Sequence, residues 1–276
     1  MAPTIDIIRH AQARHNVLSS NIRDPRLTSA GIMECLALSQ DIRPFRRKVT
    51  RIFSSPLRRA IETASIGIKP IVGEDIKVIL LPELQEINAT PSGTGSPKER
   101  LIKKYGTSQL DMSALDDDWW HKGPETRFSQ GPAKVEARAL EARRRLREAA
   151  RSDAAGSNTD AHILVITHGE FAHWLTEDFV GISRLSKTGW ANVELRSYQF
   201  ADLNGPDTDG AVLVETQESL KRRGLEESPS LSDRQLSKDI ASERALAYIR
   251  WFPEYVEDDD WVDEDDGQGT VATTRP

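Results

Sequence analysis

The chain has 276 residues, 38% of them hydrophobic and 29% charged, which suits one large α/β domain or two small ones and argues against a membrane-embedded protein. No apolar run of roughly 18 residues occurs, so no membrane span is expected. The net charge of −6 comes from eight acidic residues between 257 and 266; the rest is close to neutral and offers no field that would draw nucleic acid.

Residues 1–8 lack a basic start followed by an apolar stretch and a cleavage site, so a cytoplasmic location is expected. They lead into the first strand signal, 4–8. Further strand signals lie at 51–54, 77–81, 163–167 and 192–200. Several are continuous apolar runs, as expected of strands buried on both faces. Helical patterns fall between them, at 29–42 behind a Thr28 or Ser29 cap, 57–68 behind Ser55-Pro56, 134–150, 171–180 and 233–249. The single cysteine, Cys35, excludes an intramolecular disulfide and reads as core. This alternation predicts a three-layer α/β/α sandwich around a mostly parallel sheet. Residues 88–130 interrupt the rhythm with a Gly/Ser/Thr/Pro loop, a helix near 98–105 and the run Asp116–Gly123, and are expected to form a lid over the site. The expected layout is one catalytic domain over 1–255 and a disordered acidic tail over 256–276.

In such a sheet, ligands bind beyond the carboxyl ends of the strands. The residues found there are Arg9 and His10, Arg58 and Arg59, Glu83 and Glu86, then His168 and Gly169. Arginine forks match phosphate oxygens. A neutral histidine whose second nitrogen is held by a hydrogen bond can attack phosphorus, and a carboxylic acid can protonate the leaving oxygen. With the cations supplied by the protein, no metal or cofactor is required. A small phosphorylated or anionic molecule is the expected partner, with neither nucleic acid nor membrane involved.

The motifs Arg9-His10-Ala11 with Asn16, Leu27-Thr28-Ser29-Ala30-Gly31, Ser55-Pro56-Leu57-Arg58-Arg59-Ala60 with Thr63-Ala64, Leu84-Gln85-Glu86, and Val165-Ile166-Thr167-His168-Gly169 occur in that order. Together they resemble the histidine phosphatase, or phosphoglycerate mutase-like, superfamily. The resemblance implies that His10 is the phosphorylated residue, that Arg9, Arg59 and His168 bind the phosphoryl group, that Glu86 donates the proton and that Asn16 lines the pocket. Glu83 competes with Glu86 for the acid role. Arg58, one place before the motif arginine, Glu170, Trp119, Trp120 and His121 are the further substrate-side candidates. For Arg58 a side chain facing away from the site is the plainer reading, for the two tryptophans core or lid packing, and for Glu170 a helix cap is the alternative. His15, His121, His162 and His173 read as structural or exposed, with pocket lining the alternative for His121 and His173, and Arg143, Arg144, Arg145 and Arg147 read as a solvated helix face.

Two departures bear on the activity. Ala11 stands where the motif has glycine and resists positive φ, so the turn is expected to differ. The loop after Glu86 is unlike that of the mutases and closer to a fungal branch of the family. Phosphomonoester hydrolysis is the expected activity. Mutase-type transfer, or a scaffold recruited for other chemistry or binding of an anionic metabolite, stays open beside it.

Overall fold

A computed structural model describes residues 2–18, 21–156, 160–183, 188–206 and 208–249, so the acidic-tail expectation lies outside the described residues. The elements in chain order are β1 (Thr4–Arg9), α1 (Arg14–Val17), α2 (Ser29–Ile42), β2 (Val49–Ser54), α3 (Arg58–Gly67), α4 (Lys69–Val72), β3 (Val78–Leu80), α5 (Lys98–Tyr105), β4 (Leu110–Asp111), α6 (Pro132–Ala155), β5 (His162–Thr167), α7 (Gly169–Thr176), β6 (Leu195–Phe200), β7 (Leu213–Glu215), α8 (Gln217–Arg222) and α9 (Leu231–Ile249).

They build a seven-stranded sheet in the order β4-β3-β2-β5-β1-β6-β7. The five strands from β4 to β1 pair in parallel, while β6 and β7 are antiparallel additions. Side chains alternate across the central strands. Ile5, Ile7, Ile163 and Val165 pack with Val135, Ala139 and Leu146 of α6, Phe171 and Ala172 of α7, and Ala241 and Ala245 of α9. Ile8, Ile52, Leu164 and Ile166 pack with Leu38 and Ile42 of α2 and Ala60, Ile61 and Ala64 of α3. Both faces of β5 are thus covered, which is why its sequence reads as one apolar run. The sandwich expected from the sequence is the one observed. Among the described residues, no helix is long and apolar enough to cross a membrane.

The local signals have identifiable causes. Thr28 caps α2, its hydroxyl accepting from Gly31 N at 3.0 Å. Gly31 is required by close approach: a Cβ there would stand 2.0 Å from the Gln12 carbonyl oxygen, on the loop that leaves β1. Ala11, in contrast, does not adopt a positive φ, so alanine is accommodated there without left-handed backbone strain.

Residues 88–130 depart from the lid expectation. Strand β4 extends the sheet beside β3, and Leu110, Met112, Leu115, Trp119 and Phe128 are buried in the same core as α3. Much of the insertion therefore completes one end of the domain, while its first loop and Lys122 approach the site. The arginines of α6 also need correction. Arg143 and Arg147 are buried, not solvated. Arg143 donates to the carbonyls of Gly210 (2.9 Å) and Trp174 (3.1 Å), and Arg147 pairs with Asp209 at 2.6 Å. They fasten Pro206, Asp209 and Gly210 to the back of the helix.

Candidate active site

The carboxyl ends of β1, β5 and β2 lie side by side, and the sheet's hydrogen bonding continues past them. His10 N donates to Thr167 O, Ser55 N to Ile166 O and Leu81 N to Ser54 O, each at 2.9 Å. This fixes the backbone of the residues that follow each strand and sets the rings of His10 and His168 5.1 Å apart, centre to centre. Arg59, in the first turn of α3, reaches both. Its Nε donates to His10 Nε2 at 3.1 Å, one terminal nitrogen meets His168 Nδ1 at 3.0 Å, and the other donates to Ser92 O at 2.6 Å.

These bonds assign the tautomers, because a guanidinium can only donate. His10 Nε2 must be an acceptor, so its proton sits on Nδ1, which lies 2.7 Å from the Ala11 carbonyl. His168 Nδ1 must likewise accept, leaving Nε2–H to donate to Ser55 Oγ at 2.8 Å. Electrostatics favour the same state. Burial holds the His10 imidazole well below its ordinary pKa, and the charges of Arg59, Arg9 and His15 add to this against the Ala11 hydrogen bond. Burial, then Arg59 and His10, do the same to His168. Both rings are neutral at neutral pH, and His10 Nε2 is unprotonated, its lone pair engaged by Arg59 Nε–H.

The cations are unusually poor in counter-charge. The three acceptors of Arg59 are two imidazoles and a carbonyl, none of them a carboxylate, and burial lowers its pKa to about 10, still protonated near neutrality. Arg9 donates to the Trp190 carbonyl, and its Nε is buried with no hydrogen-bond partner among the described residues. A buried guanidinium, that of Arg59, and a half-buried one, that of Arg9, neither touching a carboxylate among the described residues, form a hollow suited to an anion.

Glu86 and Glu83 separate clearly. Glu83 is buried against Arg127 at 3.2 Å and Arg145 at 3.5 Å, on the α6 side. Glu86 Oε1 accepts from Ile87 N at 2.8 Å and from Phe171 N at 3.2 Å, an otherwise unpaired amide in the first turn of α7. Its charge acts on both Arg9 and Arg59.

The remaining candidates fall outside this cluster or at its rim. Arg58 turns away, its amide bonded to Asp24 Oδ1 at 2.9 Å and its side chain engaged with Tyr105, Asp24 and Glu62, so it does not join the substrate side. Glu170 is taken up by Arg244 of α9. Trp119 is a core residue: a Cβ on Gly95 would come within 2.1 Å of its ring. Trp120 is half-buried beneath the Arg23 guanidinium, 4.9 Å from the ring centre, and exposed His121 meets its edge. Asn16 is exposed and bonds Ala13 N and His15. His162 binds Asp6 at 2.6 Å and His173 lies between the Asp178 and Thr188 carbonyls, so both serve the fold.

Sequence reasoning missed three contributors. Ser92 supplies the carbonyl for Arg59. Lys122 is buried and donates to the carbonyls of Glu86 (2.6 Å), Asn88 (2.8 Å) and Gly93 (2.6 Å), tying the loop that carries Ser92 to the one that carries Glu86. His15 places its ring 5.7 Å from that of His10. For Ser92 and Lys122 no sequence signal exists, since each acts through backbone carbonyls. His15 had one, its place directly before Asn16. Among the described residues, no group of three or more His, Cys, Asp or Glu side chains converges as a metal site.

Fold and cluster define an α/β protein that gathers neutral imidazoles and guanidiniums at the carboxyl edge of its sheet. A family model for the histidine phosphatase superfamily (branch 1) matches residues 5–205, and the chain belongs to that superfamily. A probable phosphatase of Schizosaccharomyces pombe is 31% identical over 119 residues, 42% of this chain and 54% of that protein. A 2,3-bisphosphoglycerate-dependent phosphoglycerate mutase of Bartonella henselae is 29% identical over 114 residues, 41% of this chain and 55% of that protein. The chain thus spans about half the length of these curated relatives. Among solved structures, a mycobacterial hydrolase superposes with a TM-score of 0.50 at 18% identity, covering 83% of this chain and 100% of that one, a likeness of fold.

Proposed function

We propose that the chain hydrolyses the phosphomonoester of a small molecule through a phosphohistidine on His10. The observation that carries this reading is the tautomer of His10: with Nδ1–H held by Ala11 O, the Nε2 lone pair is the nucleophile, and Arg59 donates to that same atom. A phosphoryl group entering here would find Arg9, Arg59 and His168 in place of water. Phosphoryl transfer asks mainly for such positioning and charge stabilisation.

In the first step Nε2 forms a bond to phosphorus while the ester P–O bond breaks, and the leaving oxygen takes a proton from Glu86. With Oε1 occupied by two amide N–H groups, Oε2 is the oxygen that carries that proton. In the second step water attacks phosphorus, gives its proton to Glu86, and the N–P bond breaks to release inorganic phosphate. No metal or cofactor takes part, and the reading needs no macromolecular partner.

The test is His10→Ala, assayed by phosphate release from a panel of small phosphomonoesters. Turnover should fall to background, and acid-labile labelling of the wild-type chain by substrate should disappear. Full activity in the variant would refute the reading, and isomerisation of phosphoglycerates without phosphate release would replace hydrolysis by mutase-type transfer.

A further inference from the structure

One polar group beside the nucleophile has no task in the scheme above. Asn16 Oδ1 accepts from Ala13 N at 2.9 Å, so the other end of that amide, Nδ2, is the atom facing His15 Nε2 at 3.2 Å. An amide nitrogen donates, so His15 Nε2 accepts, and in the neutral ring the proton must sit on Nδ1. Burial holds the His15 imidazole well below its ordinary pKa, with Arg59 and Arg9 adding to the effect, so the neutral ring is the populated one. That Nδ1 is buried and has no hydrogen-bond partner among the described residues. A buried donor left without an acceptor is costly, and native structures rarely tolerate one without a reason.

Its surroundings supply the reason. The His15 ring centre is 5.7 Å from that of His10, and its electrostatic neighbours are Arg59 and Arg9, the two guanidiniums left without a touching carboxylate. We propose that His15 is a further substrate-contacting residue, donating Nδ1–H to an oxygen of the phosphoryl group held at His10, with Asn16 as the positioning residue that fixes its tautomer. This rests on the anion-pocket reading of the preceding section. It also gives Asn16, which is exposed, a role through His15 instead of as a wall of the pocket.

Two substitutions separate this role from simple packing. His15→Phe keeps a ring and loses the donor. His15→Asn loses the ring but can place an amide N–H near the position of Nδ1–H. Binding of inorganic phosphate is measured by titration calorimetry at pH 7.5, with melting temperatures as a check on folding. A hydrogen bond to a charged oxygen implies roughly tenfold weaker binding in His15→Phe, with His15→Asn staying within about threefold of wild type. Equal affinity of His15→Phe and wild type, or equal weakening in both variants, would overturn the assignment. A wild-type chain that binds no phosphate would overturn it together with the anion pocket. A chain that shows the Phe/Asn difference yet hydrolyses no ester would keep the His15 contact and refute the hydrolase reading.

Discussion

Replacing Arg59 by lysine keeps the positive charge and removes the fork. In the native site one guanidinium bonds His10 Nε2 at 3.1 Å, His168 Nδ1 at 3.0 Å and Ser92 O at 2.6 Å, three acceptors contributed by three different segments. A single ammonium on a flexible stem cannot span them, so at least two of the three contacts are lost, and with them the bidentate grip available to a phosphoryl group. Hydrogen bonds involving a charged group contribute roughly 1.5–3 kcal/mol each, so two of them correspond to about 3–6 kcal/mol. If that loss falls on the transition state, kcat/KM drops by about two to four orders of magnitude. The assay is steady-state hydrolysis of 4-nitrophenyl phosphate, with circular dichroism to confirm folding. Arg58→Lys is the control, because Arg58 is engaged with Tyr105, Asp24 and Glu62. A value of kcat/KM for Arg59→Lys within about fivefold of wild type would refute the claim that fork geometry, beyond charge, organises the site.

Glu86→Gln removes the acidic proton while leaving an oxygen to accept from the Ile87 and Phe171 amides, so kcat should fall at least about a hundredfold for an alkyl phosphate. It should fall much less for 4-nitrophenyl phosphate, whose leaving group needs little protonation; equal losses on both substrates would remove Glu86 from the acid role. Acidification should destabilise the fold. His10, His15, His168 and His173 are all held below their ordinary pKa, burial being the first cause in each, so below about pH 6.5 the unfolded chain binds more protons than the folded one. Their contribution is full above that pH and is lost as the pH falls. Asp24 opposes them: burial raises its pKa to about 6, so its folded form gains a proton on acidification. Four groups outweigh one, so Tm should fall between pH 7.5 and 5.5 and fall more steeply in Asp24→Asn; a rise in wild-type Tm over that range would contradict the neutral-histidine assignment.

What the sequence shows of this protein follows from which interactions leave a periodic or chemical trace. β1 and β5 were legible because burial on both faces demands an unbroken apolar run, and α2 because its Thr28 cap and amphipathic pattern agree. β4 and β7 escaped notice because two- and three-residue edge strands are too short to show alternation. His10, Arg59, His168 and Glu86 were legible as residue types at strand ends, where an α/β sheet presents its ligands.

The arginines of α6 show why such reading stops short. A run of charged residues on a long helix is ordinarily solvated, and the sequence of residues 143–147 carries nothing to say otherwise. Arg143 and Arg147 are buried because their hydrogen bonds are accepted by backbone carbonyls and by the carboxylates of Glu177 and Asp209, distant in sequence. Lys122 repeats the pattern at the site itself, and so does Ser92, which contributes only its carbonyl. A carbonyl is the same whichever side chain it belongs to, so contacts made through it constrain the fold without constraining the partner's identity. The chemistry of this site is therefore written in side chains and readable, whereas the scaffolding that aims those side chains is written in backbone and appears only in three dimensions. His15 lies between the two cases: its side chain is chemical, but its role becomes visible only when the amide of Asn16 reveals which of its nitrogens carries the proton.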